Sequence, residues 1–176
     1  TASFTVATKT SPMLAYRRYD LVILMTGAAD IFSMDIHRDL LRQVIALHRQ
    51  ARPDVSFLLV SPPDRGQSQV TPKLLTLGKE RAEIAAEQGT GYWDLLAAEG
   101  GPVSMMKFIQ RDMALSDQIH FSESGGAWVS HRLEHAILAG FARYLADHPT
   151  AGCDDAKAAE LDPWPPGAPP TAIAAT

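Results

Sequence analysis

An aspartate and a histidine stand three residues apart in Asp117-Gln118-Ile119-His120, and Phe121-Ser122-Glu123-Ser124-Gly125-Gly126 follows before a long helical pattern. A carboxylate and an imidazole at that spacing fit on one short turn and can face one cleft. The aspartate would orient the ring, and the histidine would act as general base and then as general acid. The plain alternative is a surface turn closed by a helix cap. Ser122 and Ser124 suit that alternative, since each precedes a helix whose first N–H groups need acceptors.

A base of this kind needs a nucleophile, and the serines offer only weak candidates. Ser61 closes an apolar run of strand length, a geometrically plausible place, while Ser33 and Ser11 are poorer choices. His131 and His135 have the i, i+4 spacing at which two imidazoles on one helix face can share a metal. No Glu follows His131 directly and no third ligand stands nearby, so they read as solvated residues, and neither metal nor cofactor is expected. Gly100-Gly101 precedes a helical run and could offer N–H groups to an anion, although a loop and helix start is the simpler reading. His37, His48 and His148 fall on or beside helix surfaces, and Trp93, Phe108 and Trp128 read as core or crevice wall.

Alternating strands and helices must position these groups. Residues 4–8 form a short β-rich run, and residues 12–19 a helical stretch started by Pro12. Residues 21–26 and 55–60 are continuous apolar runs, as expected of strands covered on both faces. Residues 35–51 carry a helical stripe of Ile36, Leu40, Leu41, Val44, Ile45 and Leu47, which Pro53 stops. A second amphipathic helix spans 72–88 and ends at Gly89, a shorter strand spans 91–95, a brief helix 104–113 and a final helix 123–147. The alternation predicts a three-layer α/β/α domain with a parallel sheet. Ligands of such sheets bind beyond the carboxyl ends of the strands. Residues 27–30 and 61–64 follow two of those ends, and the loop before the last helix can bring Asp117 and His120 to the same crevice.

With 176 residues, 46% hydrophobic and 20% charged, the chain can bury one core, which predicts one domain over residues 1–149. Beyond it, residues 150–176 are rich in proline and alanine and predict a disordered tail or linker. A net charge of −4 without a Lys/Arg run gives no basic face for nucleic acid. No apolar stretch approaches a membrane span, and no signal-peptide pattern is present. The single cysteine, Cys153, rules out an internal disulfide and leaves the compartment open.

Three stretches resemble the SGNH (GDSL-like) esterase superfamily, in particular its bacterial O-acetyl-polysaccharide and peptidoglycan esterase branch. Residues 20–30, "DLVILMTGAAD", are similar to the strand ending in Gly-x-Asn-Asp. Residues 55–63, "VSFLLVSPP", are similar to the next parallel strand with its terminal proline. The run from Tyr92 to Leu133 is similar to the Trp-Asp…Gly-Gly…Ser-Met…Asp-x-x-His-Phe pattern, so the likeness spans roughly residues 20–145. It implies a flavodoxin-like sheet and a carboxylic-ester hydrolase that needs no cofactor. The implied substrate is an acylated carbohydrate or other small ester, with a periplasmic or secreted location from family habit. Asp117 and His120 would be orienter and base, and Gly27, Ala29 and Asp30 would form the oxyanion side of the crevice. Ser61, Asp94 and Gly101 would line it more remotely.

Only the histidine block of that superfamily is intact. The Gly-Asp-Ser nucleophile block is absent, residues 1–26 contain no glycine, and the asparagine position is Ala29, whose side chain cannot donate to an oxyanion. In the resembled fold, with sheet order 2-1-3-4-5, the nucleophile follows the central first strand. If residues 21–26 are strand 3, then either residues 4–8 take the central slot or the domain extends upstream of Thr1 and carries the serine there. The second is preferred, and these 176 residues alone are expected to show very low activity. Three readings follow: a serine ester hydrolase acting on O-acetyl groups of an envelope or exported polysaccharide, a degenerate carbohydrate-binding or scaffold domain, and a flavodoxin-like nucleotide or phosphate binder. The last is disfavoured because no Gly-x-Gly-x-x-Gly or Gly-Lys-Ser/Thr loop follows a strand.

Overall fold

A computed structural model describes residues 19–26, 30–32 and 34–148. The expected strand 4–8, helix 12–19 and tail 150–176 lie outside the described residues. Three strands, β1 (Leu21–Leu24), β2 (Ser56–Val60) and β3 (Gly91–Trp93), form a parallel sheet in the order β1-β2-β3. The register sets Leu21 opposite Ser56 and Leu58 opposite Gly91. Parallel neighbours need crossovers, and the two long ones are α1 (Met34–Ala51) and α2 (Thr71–Gln88). A 3-10 turn at Asp30–Phe32 precedes α1. Two short helices, α3 (Leu95–Ala98) and α4 (Ser104–Ile109), lead to α5 (Glu123–Asp147).

The residues of β2 alternate between two layers, as the period of a strand requires. Phe57 and Leu59 join Leu41, Val44 and Ile45 of α1 and Ile84 and Ala85 of α2 in one buried cluster. Leu58 and Val60 face the other way, toward Leu95, Trp93 and Val129 of α5. A third cluster, Met105, Phe108 and Ala114, is sealed by Phe121 and Trp128 and fixes α4 beneath the loop that enters α5. Helices on both faces of a parallel sheet make the three-layer α/β domain that the alternation implied. Exposed ion pairs lace α1 to α2, with Arg42 bidentate on Glu87 at 2.8 and 2.9 Å and Arg38 on Glu83 at 2.6 Å. Pairs so accessible to water select the helix register more than they stabilise it.

Several expected boundaries move. The first strand stops at Leu24, and Leu21 and Ile23 are exposed rather than covered on both faces. The third stops at Trp93 because Asp94 caps a helix absent from the sequence reading, its carboxylate accepting from the Ala97 N–H at 3.0 Å. The helix expected over 104–113 ends at Ile109. Its end is closed where the Met113 N–H donates to the Phe108 carbonyl at 2.8 Å and Asp112 turns left-handed at φ 56°. By contact the chain divides into Thr1–Ala136 and Ile137–Thr176. The second unit is described only over the last turns of α5, where Phe141 and Leu138 are exposed and the Tyr144 ring stacks on His148 at 4.3 Å.

Candidate active site

Asp117 and His120 sit on a tight loop between α4 and α5. Ala114 and Phe121 form an antiparallel bridge at its base, and the Leu115 N–H donates to the His120 carbonyl at 2.8 Å. Gln118 crosses the tip with φ 64°, a left-handed conformation that costs a side chain with a β-carbon, while its N–H donates back to the Leu115 carbonyl at 3.2 Å. The turn survives because Asp117 supplies acceptors where the backbone has none. Its Oδ1 accepts the N–H groups of Ile119 at 2.9 Å and His120 at 3.0 Å, an Asx turn. Its Oδ2 lies 2.6 Å from His120 Nδ1.

That contact assigns the imidazole tautomer. An anionic carboxylate only accepts, so Nδ1 carries a proton, and in the neutral ring Nε2 is then the atom with the free lone pair. The hydrogen bond from the His120 ring, followed by those from the His120 and Ile119 N–H groups, holds the Asp117 carboxyl down to about 2. Both side chains remain open to water, His120 at 69% and Asp117 at 42% exposure. Among the described residues nothing hydrogen-bonds His120 Nε2. Beneath the pair, Phe121 is anchored against Phe108 at 5.7 Å, and Phe108 meets Trp128 edge-on at 5.1 Å.

Ser122 caps α5, its Oγ accepting the Gly125 N–H at 3.3 Å. Ser124, expected as a second cap, lies inside the first turn and donates to the Asp112 carbonyl at 3.0 Å. Gly125 is required by this close passage, since a β-carbon there would run into the Met113 carbonyl oxygen.

The remaining sequence candidates fall as follows. Gly27 and Ala29 lie outside the described residues, and Asp30 opens the 3-10 turn. Ser61 is only 2% exposed, its hydroxyl donating to Asp94 Oδ1 and accepting the Leu96 N–H, both at 3.0 Å. Asp94 accepts that hydroxyl while capping α3, so the two pin the end of β2 to the start of α3. The Gly101 N–H donates to the Leu96 carbonyl at 2.9 Å, and the Gly100 N–H to Ala97 at 3.0 Å, so both serve the end of α3. His131 pairs with Glu134 at 3.6 Å on an exposed face. No group of three or more metal-ligating side chains is found among the described residues.

Two buried polar networks escaped the sequence reading. His37, expected on a helix surface, is 1% exposed. Its Nδ1 faces Glu80 at 3.0 Å, and its Nε2 accepts from Arg81 Nε at 3.3 Å. Arg81, wholly buried, also donates to the Val60 carbonyl at 2.5 Å and to Thr26 Oγ1 at 3.4 Å, tying α2 to the carboxyl ends of β1 and β2. The signal was present: Arg81 falls in register with Leu74, Leu77 and Ile84, and His37 with Leu41 and Val44, on the apolar stripes. The second network is Asp64 with Glu99. The Asp64 N–H donates to Glu99 Oε2 at 2.9 Å, and Asp64 Oδ2 accepts the N–H groups of Gly66 at 3.1 Å and Met105 at 2.9 Å. Burial, with the carboxyls of Asp64 and Asp94 nearby, pushes Glu99 up to about 8 despite the Asp64 N–H that favours its anion.

No family model matches the chain, and no curated protein matches it. Among solved structures, the chain is similar to a peptidoglycan O-acetylesterase at a TM-score of 0.57 and 22% identity. The match covers 77% of this chain and 41% of that one, so the chain spans well under two thirds of its neighbour. An identity this low speaks for architecture. The chain shares that neighbour's fold: an open parallel sheet with helices on both faces.

Proposed function

We propose that the chain belongs to a serine ester hydrolase that removes O-acyl groups, acetyl first among them, from an envelope or exported polysaccharide. The observation that carries the reading is the 2.6 Å contact between Asp117 Oδ2 and His120 Nδ1, which orients the ring so that Nε2 faces away from Asp117 on a side chain open to solvent. In this role Nε2 takes the proton of a serine hydroxyl as its oxygen attacks the ester carbonyl. The Asp117 anion stabilises the imidazolium that results, and the ring then returns the proton to the leaving sugar hydroxyl. An O-acetylesterase as structural neighbour supports the substrate class. Ser61 is not the hydroxyl partner in this reading, since it is sealed against Asp94.

The test is acetate release from O-acetylated peptidoglycan by the native gene product that carries this sequence. Turnover that falls about 10⁴-fold in Asp117→Asn and about 10⁶-fold in His120→Ala supports the reading. Turnover unchanged in both variants would sink it. The second reading, a carbohydrate-binding or scaffold domain without catalysis, draws on Ala29 at the asparagine position and on the sealed Ser61. It predicts that both variants bind the glycan as the wild type does, with no acetate released by any of the three.

A further inference from the structure

The loop that follows β2 has no role in the chemistry proposed above, yet it is built with unusual care. Asp64 is 1% exposed and spends one carboxylate oxygen on two backbone N–H groups, those of Gly66 and of Met105 in α4. Its own N–H is held by Glu99. The carboxylate therefore fixes Gly66 relative to α4, and Gly66 itself is left-handed at φ 60°. A β-carbon placed on Gly66 would stand 3.2 Å from Gln118 Cβ, 3.4 Å from Met106 Sδ and 3.5 Å from Gln118 Oε1. Gln118 is the strained residue between Asp117 and His120. Two left-handed residues from distant parts of the sequence thus approach each other at the residue that separates Asp117 from Ile119 and His120.

We infer that Asp64 is a positioning residue for the Asp117–His120 pair, acting through Gly66, which provides the seat on which the Gln118 tip rests. The inference builds on the reading of the pair as the working acid–base unit. The hydrogen bonds of Asp64 go to Gly66, Met105 and Glu99, not to the pair. It holds the ring by holding the loop that Gln118 leans on, and Glu99 braces Asp64 from the far side. A pair this open to solvent has little packing of its own to fix it, so the tip beneath must supply the rigidity. Serine, histidine and acid must agree in position to within a fraction of an ångström.

The test reads the pair directly, without relying on turnover. In the full chain labelled with ¹⁵N at histidine, the Nδ1 proton held by Asp117 gives a downfield resonance, identified by its loss in His120→Gln. Gly66→Ala is expected to abolish this resonance, and Gln118→Gly, which suits the left-handed backbone, to weaken it. The double variant should match Gln118→Gly alone, because the two positions act on one contact. Asp64→Ala should lose the resonance, whereas Asp64→Asn, whose amide oxygen still accepts both N–H groups, should keep it.

A folded Gly66→Ala or Asp64→Ala variant with the wild-type resonance overturns the inference, as does a double variant in which the two losses add. If Gly66→Ala alone does not fold and the double variant does, the contact is confirmed. If neither folds, Gly66 serves something other than Gln118 and the inference fails. A wild-type resonance without acetate release would refute the proposed function and leave the positioning role standing.

Discussion

Asp117 holds three hydrogen bonds from a turn of four residues, and its pKa is the thermodynamic signature of that arrangement. A carboxyl lowered from 3.8 to about 2 favours folding in its charged form. Its contribution is therefore complete above about pH 4 and disappears as pH falls through 2. Replacing His120 by Ala removes the largest cause and leaves two N–H donors, so the Asp117 carboxyl titration, followed by NMR, should move only part of the way back toward 3.8. Glu99 has the opposite sign. Its pKa, raised from 4.5 to about 8, means the native state keeps a proton that the unfolded chain has already lost. Stability from this group is full below about pH 4.5 and declines through pH 8, by something on the order of a few kcal/mol. Glu99→Gln, still able to accept the Asp64 N–H, should flatten that decline in thermal melts from pH 5 to 9. A melting temperature of the variant that falls as steeply as the wild type's would refute the assignment.

Elements carry the site by touching at few, well-defined places. The loop from Met113 to Ser122 is clamped where α5 begins, and Gly125 makes the clamp possible. Gly125→Ala should destabilise the domain by about 1–3 kcal/mol, because the obstacle is a backbone carbonyl that cannot swing aside. Chemical denaturation measures this, and a loss below a few tenths of a kcal/mol would contradict it. On the other side of the sheet Arg81 is the bolt between α2 and the carboxyl ends of β1 and β2. Arg81→Met keeps the buried stem but removes the donor to the Val60 carbonyl and to His37 Nε2, a cost of about 3 kcal/mol in the same measurement. That bolt ends at Thr26, immediately before the residues 27–30 that the family resemblance places on the oxyanion side.

At the scale of the whole molecule, the sequence was most legible where one period ran uninterrupted. The stripe from Ile36 to Leu47 and the run from residue 55 to 60 yielded α1 and β2 within a residue, although Ile36 itself is exposed, and α5 matched at both ends. The Asp117–His120 pair was legible because both partners sit within one turn, so their contact needs no knowledge of the fold. Asp64 with Gly66 and Gln118 was illegible for the converse reason. Their meeting depends on how α4 seats the loop after β2, a packing outcome that no local pattern encodes. The helix at Leu95–Ala98 is hard to read because apolar residues stand on both sides of Asp94, Tyr92-Trp93 before it and Leu95-Leu96 after it, and only the cap geometry of Asp94 marks the boundary. His37 is hidden from a reading that treats histidine as polar, although its spacing to Leu41 and Val44 assigns it to the buried face.

Such a fold hosts chemistry at the carboxyl ends of its strands, and the claim that matters most is that His120 activates a serine there. Fluorophosphonate labelling of the native gene product, followed by peptide mapping, tests it most directly. The account predicts one adduct, on a single serine, that disappears in His120→Ala while the fold is retained. A folded protein that takes no adduct, or one whose adduct persists without His120, would contradict it.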